Sequence, residues 1–284
     1  MKISEVLKKS MEILSEHNIE NPHLDAQVII AHVLETEPFR LTVNAEEEIP
    51  SNKIKTIQKL IQRRCKHEPV AYITGSKEFY AINFLVNKST LIPRPETELL
   101  VDMAIYYAPL DAKILDIGTG SGAIAIAVKL SRNDLKITAV DISSKALSVA
   151  KENAKNILAN NDIKFLKSDL FEKLENFKSE KFGLIVSNPP YVDINRKNEL
   201  ALDLMYEPDE ALFTEDKGLA IIKKIISQSK EYLTDDGILL LEIGEGQKNE
   251  VTKLGLENGF DVSVLSDYSG LPRIAICKRL KSKK

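Results

Sequence analysis

Asn188-Pro189-Pro190-Tyr191 follows the apolar run Phe182-Gly183-Leu184-Ile185-Val186-Ser187. A strand that meets two prolines must stop, because proline lacks the N–H that a ladder needs and its ring fixes φ. Asn188 is therefore expected at the carboxyl edge of a buried strand, beside a stiff turn, and open α/β sheets bind ligands at that edge. The Asn188 side-chain oxygen and the Pro189 carbonyl can each accept one N–H of a planar NH2 group. The Tyr191 ring can stack on the plane and exclude water. An amide nitrogen is a poor nucleophile, since its lone pair is delocalised into the carbonyl. Holding both N–H groups on acceptors orients it and raises its electron density. The chemistry expected is transfer to an amide or amine nitrogen, driven by positioning and preorganised dipoles without a strong general base.

A donor site is expected upstream. Asp116-Ile117-Gly118-Thr119-Gly120-Ser121-Gly122 joins a short apolar strand to a small-residue helix. Glycines there allow a tight turn and close approach of a ligand. The spacing is G-x-G-x-G, not the G-x-G-x-x-G of dinucleotide folds, and no P-loop motif occurs. Asp141 ends the next strand, where a carboxylate can accept from both ribose hydroxyls of either NAD or S-adenosylmethionine. Asp116 separates the two: a carboxylate beside the turn would repel a pyrophosphate but suits a sulfonium ligand with an α-amino group. Its bland role is to cap the turn. Asp169 is placed to reach an adenine amino group. In such sheets the strand before Asn188 lies beside the glycine turn, so Asn188 would face the transferable methyl.

The elements that must hold these residues follow from periodicity. Val6, Leu7, Met11 and Leu14 mark a helix after Ser4 as N-cap, Pro22 to Glu35 a second with Asn21 as cap, and Asn52 to Lys66 a third. Tyr72-Ile73-Thr74 and Phe79 to Val86 read as extended, with Gly75-Ser76 as turn residues. From Lys113 onward strands and helices alternate: strands at Ile114–Ile117, Ile137–Asp141, Ile163–Leu166, Phe182–Asn188 and Gly237–Ile243, helices at 121–130, 144–158 and 218–233. Phe260 to Leu265 and Arg273 to Cys277 could close the sheet. Repeated βα units predict a parallel, doubly wound sheet.

Composition bounds the class. The 284 residues are 43% hydrophobic and 29% charged, as in ordinary globular proteins. No apolar run reaches the roughly 20 residues that span a membrane, and the N-terminus has no signal-peptide core, so a cytoplasmic protein without membrane contact is expected. Cys65 and Cys277 stand alone and read as plain thiols, with no metal site. The net charge of −3 weighs against a stable nucleic-acid partner. The basic tail Lys278 to Lys284 reads as a solvated end.

Together, N-P-P-Y and D-I-G-T-G-S-G resemble S-adenosylmethionine-dependent N-methyltransferases of the Rossmann-like class. N-P-P-[YF] alone is shared by DNA adenine and cytosine amino methyltransferases, rRNA guanine-N2 methyltransferases and protein glutamine methyltransferases. Pro69 through Phe79, Leu91 through Glu98, Tyr206-Glu207-Pro208 with Ala211-Leu212, Glu242-Ile243-Gly244, and Asp267 through Gly270 to Arg273 resemble the peptide chain release factor N5-glutamine methyltransferases (PrmC/HemK family). That resemblance covers nearly the whole chain. It implies an α/β protein: a helical substrate-recognition domain (1–68), a β-hairpin linker (69–94) and a seven-stranded catalytic domain (95–284). It implies N5-methylation of the Gly-Gly-Gln glutamine in class 1 release factors, with a nucleic-acid base amino methyltransferase as the alternative. By motif, Gly118, Thr119, Gly120, Ser121, Gly122, Asp141, Asp169, Leu170 and Asn188 would hold the cofactor. Asn188, Pro189, Pro190 and Tyr191 would hold the glutamine, with Asn188, Pro189 and Tyr191 acting in catalysis. Leu170 stands where many relatives carry Trp, so an aromatic cover on adenine is lost or falls to Phe171. Arg94 and Glu96 border the substrate groove or form a surface ion pair.

Overall fold

The computed structural model describes residues 1–160 and 162–280. The last four residues of the basic tail lie outside them. The chain divides into two compact units: Met1–Ser76 with Ala201–Tyr206, and the remainder.

The first unit is helical: α1 (Ile3–Glu16), α2 (Pro22–Leu34), α3 (Arg40–Val43), α4 (Ser51–Arg64) and α5 (Val70–Thr74). Leu14, Ile29, Ile30, Leu41, Ile57 and Ile61 form its core. Helix α1 begins two residues earlier than Ser4 suggested: Lys2 is the N-cap residue, and its backbone N–H donates to the Glu5 carboxylate at 3.1 Å. Tyr72-Ile73-Thr74 is helical, not extended. Its β-branched and aromatic residues favour a strand, but Pro69 opens a helical turn, Gly75 closes it with φ +74°, and Ile73 packs into the helical core. Residues 201–206 belong to this unit because Asp203 pairs with Arg64 at 2.9 Å and the Tyr206 hydroxyl donates to the Lys66 carbonyl at 2.7 Å. Buried Arg64 also holds Asp25 at 2.6 Å.

The hairpin β1 (Ser76–Phe79) and β2 (Ile82–Leu85) comes next. Its turn is Tyr80-Ala81, both at positive φ, rather than Gly75-Ser76. Two-residue turns of that hand match the twist of the flanking strands.

The second unit continues with α6 (Glu98–Tyr107), β3 (Lys113–Ile117), α7 (Ala123–Ser131), β4 (Lys136–Asp141), α8 (Ser144–Ile157), β5 (Lys164–Lys167) and β6 (Phe182–Ser187). After β7 (Val192–Asp193), α9 (Asp209–Leu212), β8 (Phe213–Thr214) and the short turn α10 (Glu215–Gly218) come α11 (Ala220–Tyr232), β9 (Leu233–Glu242), α12 (Lys248–Glu257), β10 (Phe260–Ser266) and β11 (Pro272–Arg279). Seven strands form one sheet in the order β10-β11-β9-β6-β3-β4-β5. The sheet is mixed, not wholly parallel: β11 runs antiparallel to both β9 and β10. The alternation of strand and helix stops after α12, and β10 and β11 are joined without a crossover helix, which only an antiparallel pair allows.

Strand β6 is buried along its whole length, as its unbroken apolar run requires of a central parallel strand covered on both faces. One cluster of side chains, including Leu100, Ile126, Leu184 and Leu240, fills one face, and another, including Ile185, Ile222, Leu239 and Phe260, fills the other. Burying each such side chain contributes about 1.5–3 kcal/mol. The sheet is therefore buried on both faces where β3 and β6 meet, which is where the two sequence motifs emerge.

Candidate active site

The carboxyl ends of β3 and β6 are tied together. Ile117 lies opposite Ser187 in the parallel ladder, and the buried Ser187 hydroxyl donates to the Ile117 carbonyl at 2.7 Å. The next residues on the two strands are Gly118 and Asn188. Register alone therefore sets the glycine turn beside the Asn-Pro-Pro turn.

A cavity of about 330 Å³ opens at this edge, with Gly118, Gly120, Asp141, Asp169, Leu170 and Asn188 in its wall. Gly118 and Gly120 have φ of +72° and +56°, and a Cβ on either would meet no protein atom within 4 Å. They face open space. Gly122 differs: at φ +84° its Cβ would lie 3.0 Å from Ile126 Cδ1 and 3.2 Å from Ala150 Cβ, so it serves the packing of α7 on α8. Thr119 and Ser121 line a smaller recess with Asn188 rather than the main cavity.

Asp141 is buried at the end of β4. Its Oδ2 accepts from the Gly120 N–H at 2.9 Å and its Oδ1 from the Ser143 N–H at 2.8 Å. Each oxygen keeps capacity for a further hydrogen bond, the residue lines the cavity, and burial raises the carboxyl above its ordinary value. Asp116 lies behind the turn, with no exposed surface. Its Oδ2 accepts from the Thr119 hydroxyl at 2.6 Å, so it caps the turn, yet its Oδ1 is buried without a partner. Burial pushes this carboxyl up to about 7, and the negative charge of Asp141 adds to the shift. A cation bound at the turn would relieve both effects.

Phe171 does not cover the cavity. It is fully buried and stacked on Tyr232, with ring centroids 4.6 Å apart. The apolar wall comes from Leu170 itself, held at φ +46°, with Ile142, Ala146 and Ile221. Ile142 follows Asp141 directly and is 54% exposed, a signal that was available in the sequence as an apolar residue at a strand's carboxyl end.

A second, narrower cavity of about 40 Å³ is lined by Arg94, Asn188, Pro189, Pro190 and Tyr191. Asn188 and Pro190 belong to both cavities. Arg94 is held by Glu207, which also accepts from the Ile92 N–H at 2.9 Å. Glu96 is exposed and lines neither cavity. The ion pair at this segment is therefore Arg94–Glu207, across a sequence separation of 113 residues.

Three side chains not singled out individually by sequence hold the Asn-Pro-Pro-Tyr turn. Asn188 Nδ2 donates to Thr97 Oγ1 at 3.1 Å, and the Thr97 hydroxyl donates to Glu242 Oε2 at 2.7 Å. The Tyr191 hydroxyl donates to Glu242 Oε1 at 3.2 Å. Gln247 completes the frame: its Oε1 accepts from the Gly244 N–H at 2.8 Å, and its Nε2 donates to the carbonyls of Tyr191 and Gly218, each at 3.2 Å. Both cysteines are buried and free, burial pushes the Cys277 thiol up to about 12, and no metal-binding cluster exists among the described residues. No helix among those residues is long and apolar enough to cross a membrane.

A seven-stranded sheet with its glycine turn, acidic strand end and Asn-Pro-Pro-Tyr turn at one edge defines a class I methyltransferase fold. A methyltransferase from Pyrococcus furiosus has the same fold, with a TM-score of 0.55 at 17% identity over 78% of this chain and 98% of that one. Residues 5–75 match the sequence profile described as PrmC N-terminal domain, and residues 95–218 that described as Methyltransferase small domain. The chain is 36% identical over 279 residues to a release factor glutamine methyltransferase of Buchnera aphidicola subsp. Baizongia pistaciae, covering 97% of this chain and 99% of that one. It is also 36% identical to a bifunctional methyltransferase of Rickettsia felis over 96% of its own length, but spans only 57% of that protein. The chain belongs to the release factor glutamine methyltransferase family.

Proposed function

We propose that this protein transfers a methyl group from S-adenosylmethionine to the side-chain nitrogen of the glutamine in the Gly-Gly-Gln motif of class 1 release factors. The carrying observation is that Asn188 stands in the wall shared by a cofactor-sized cavity and a narrow slot, in a chain of this family. The helical residues 1–68 are assigned to release factor recognition, 69–94 to a linker and 95–284 to catalysis. A cytoplasmic location follows from that substrate.

The residues fit the cofactor. Gly118 and Gly120 leave backbone open to a ligand, Asp141 keeps lone pairs for ribose hydroxyls, and the unpartnered Asp116 oxygen suits a cationic amino acid moiety. Thr119, Ser121, Asp169 and Leu170 complete the assigned binding set, with Gly122 supporting the turn from behind. When bound, S-adenosylmethionine supplies an electrophilic methyl on a positively charged sulfur.

The rest of the work falls to the protein. With Nδ2 committed to Thr97, Asn188 has its Oδ1 left to accept one N–H of the glutamine amide. The Pro189 carbonyl is assigned the other N–H. The two acceptors hold the nitrogen in line and stabilise the positive charge that develops on it, so no base is needed before transfer and the proton leaves afterwards. Pro190 fixes the turn, and the Tyr191 ring walls the slot against water.

Incubation with a class 1 release factor and labelled S-adenosylmethionine, followed by peptide mass mapping, tests this. Label is expected on the Gly-Gly-Gln glutamine. Label found instead on DNA or rRNA would favour a base amino methyltransferase.

A further inference from the structure

The Thr97 hydroxyl carries a single proton, and that proton sets the polarity of the site. Thr97 is buried, and its Oγ1 lies 2.7 Å from a Glu242 oxygen and 3.1 Å from the Asn188 amide. An ionised carboxylate only accepts, so the Thr97 proton must point to Glu242. Thr97 Oγ1 is then left only lone pairs for Asn188. It can meet the NH2 end of that amide but not its oxygen. The orientation of Asn188 is thus dictated from Glu242, through one hydroxyl, and its oxygen is the end left over for an incoming N–H. The other Glu242 oxygen takes the Tyr191 hydroxyl, which fixes the remaining polar group of the turn.

We propose that Glu242 is a positioning residue for methyl transfer: through Thr97 it fixes which end of the Asn188 amide faces the acceptor, and through the Tyr191 hydroxyl it fixes the ring that walls the slot. This inference rests on the methyl-transfer reading above. The arrangement is one-directional. A protonated Glu242 could donate to Thr97, releasing the Thr97 proton toward Asn188 and favouring the amide turned around, with its NH2 facing a substrate that also offers N–H.

The surroundings of Glu242 bear on that proton. Thr97 faces it from the segment before α6 and Tyr191 from the turn after β6, while the charges of Arg273 on β11 and of exposed Glu96 act on it in opposite directions. Arg273 is itself paired with Asp267 at 3.1 Å, and Arg94 is the further cation that acts on Tyr191. Burial outweighs the help from Thr97, Tyr191 and Arg273, and pushes the Glu242 carboxyl up to about 7. Glu242 is 1% exposed, so its removal without replacement would leave the two hydroxyls unpaired.

The variants Thr97→Val, Thr97→Ser and Glu242→Gln test the inference against a merely structural role. The first readout is the Asn188 side-chain NH2 pair in a 15N spectrum, identified by its loss in Asn188→Ala. Slow hydrogen exchange is expected in the wild type, and faster exchange with a changed shift in Thr97→Val and Glu242→Gln. The second is kinetic. Thr97→Val and Glu242→Gln are expected to lose roughly 10–100-fold in kcat, with cofactor affinity and KM for the release factor close to wild type, while Thr97→Ser restores most of the rate. The wild-type kcat should rise with pH toward a plateau above about 7, to which burial pushes the Glu242 carboxyl, and Glu242→Gln should lose that limb. An Asn188 resonance unchanged by both substitutions overturns the inference, whether or not any release factor is methylated. So does a kcat near wild type in both. Failure of the wild type to label a release factor overturns the functional reading, and leaves the resonance test standing.

Discussion

Gln247 Nε2 donates to the Tyr191 carbonyl at 3.2 Å, from the loop after β9 to the turn after β6. The same amide group reaches the carbonyl of Gly218, while its oxygen takes the N–H of Gly244. The contact is close on every side: a Cβ on Gly218 would lie 2.1 Å from the Tyr191 carbonyl oxygen, and one on Gly244 3.0 Å from Tyr191 Cδ2. One buried side chain thus locks three loops around the aromatic wall of the slot.

Gln247→Ala should therefore act on stability and rate together. It leaves a buried N–H and carbonyls without partners, which costs about 1–3 kcal/mol for each group that water cannot reach. The freed Tyr191 backbone should also lower kcat. Urea unfolding and single-turnover assays read the two effects. Loss of stability with an undiminished single-turnover rate would show that Gln247 holds the fold but not the wall.

For Asn188→Ala the two effects should separate. Cofactor affinity is expected to stay within about threefold, while transfer falls by roughly 10²–10³, the loss seen when one preorganised polar partner is removed from a transition state. Titration calorimetry and turnover with a release factor check this. A turnover near wild type would mean that Asn188 does not hold the acceptor amide.

The glycine turn offers a second separation, between Gly118 and Gly122. A Cβ at Gly118 points into open space at φ +72°, so Gly118→Ala should cost the free protein only the left-handed backbone penalty, about 1–2 kcal/mol. Its methyl group would occupy ligand space and weaken cofactor binding. Gly122→Ala carries the same backbone penalty and also presses on Ile126 and Ala150, adding about 1–3 kcal/mol for overpacking. Melting temperatures should rank wild type above Gly118→Ala above Gly122→Ala, while the larger loss of affinity among proteins that still fold should belong to Gly118→Ala. The reverse order of affinity would place the ligand on the other side of the turn.

What could be read in the sequence was local. The run Phe182 to Ser187 ends at two prolines, so a buried strand and its terminus were both visible, and G-x-G-x-G declared its turn in five residues. Thr97, Glu242 and Gln247 were not visible as a group, because Thr97 meets Glu242 across 145 positions and Asn188 across 91. The β6–β9 pairing sets Ser187 opposite Leu241 and so brings Asn188 beside Glu242, while α6, which packs on both strands, brings in Thr97. Strand direction was hidden for a similar reason. Apolar periodicity marks β10 and β11 as strands, but the same pattern suits either orientation, and what decides is the absence of a helix between them. Tyr72-Ile73-Thr74 is helical against its residue preference for a strand, because Pro69, Gly75 and burial of Ile73 in the helical core make Val70–Thr74 a turn of helix.

The last prediction concerns pH and rests on Asp116. Its carboxyl is raised from an ordinary 3.8 to about 7 by burial first, and then by Asp141. Between those values the folded protein binds a proton that the unfolded chain has released, so the associated stability is present below about 4 and is lost as pH rises through about 7. The ligand-free protein should melt at lower temperature as pH climbs through that window, and Asp116→Asn should remove part of the slope, with Glu242 supplying another part. A cationic ligand at the glycine turn favours the ionised carboxylate, so binding should release a proton. Cofactor affinity should therefore rise from about pH 5.5 to about pH 7.5 in the wild type and stay flatter in Asp116→Asn. Calorimetry in two buffers of different ionisation enthalpy measures the proton directly. Equal apparent enthalpies in the two buffers near pH 6, where a neutral Asp116 would have to ionise, would mean that the unpartnered Asp116 oxygen does not serve the cation.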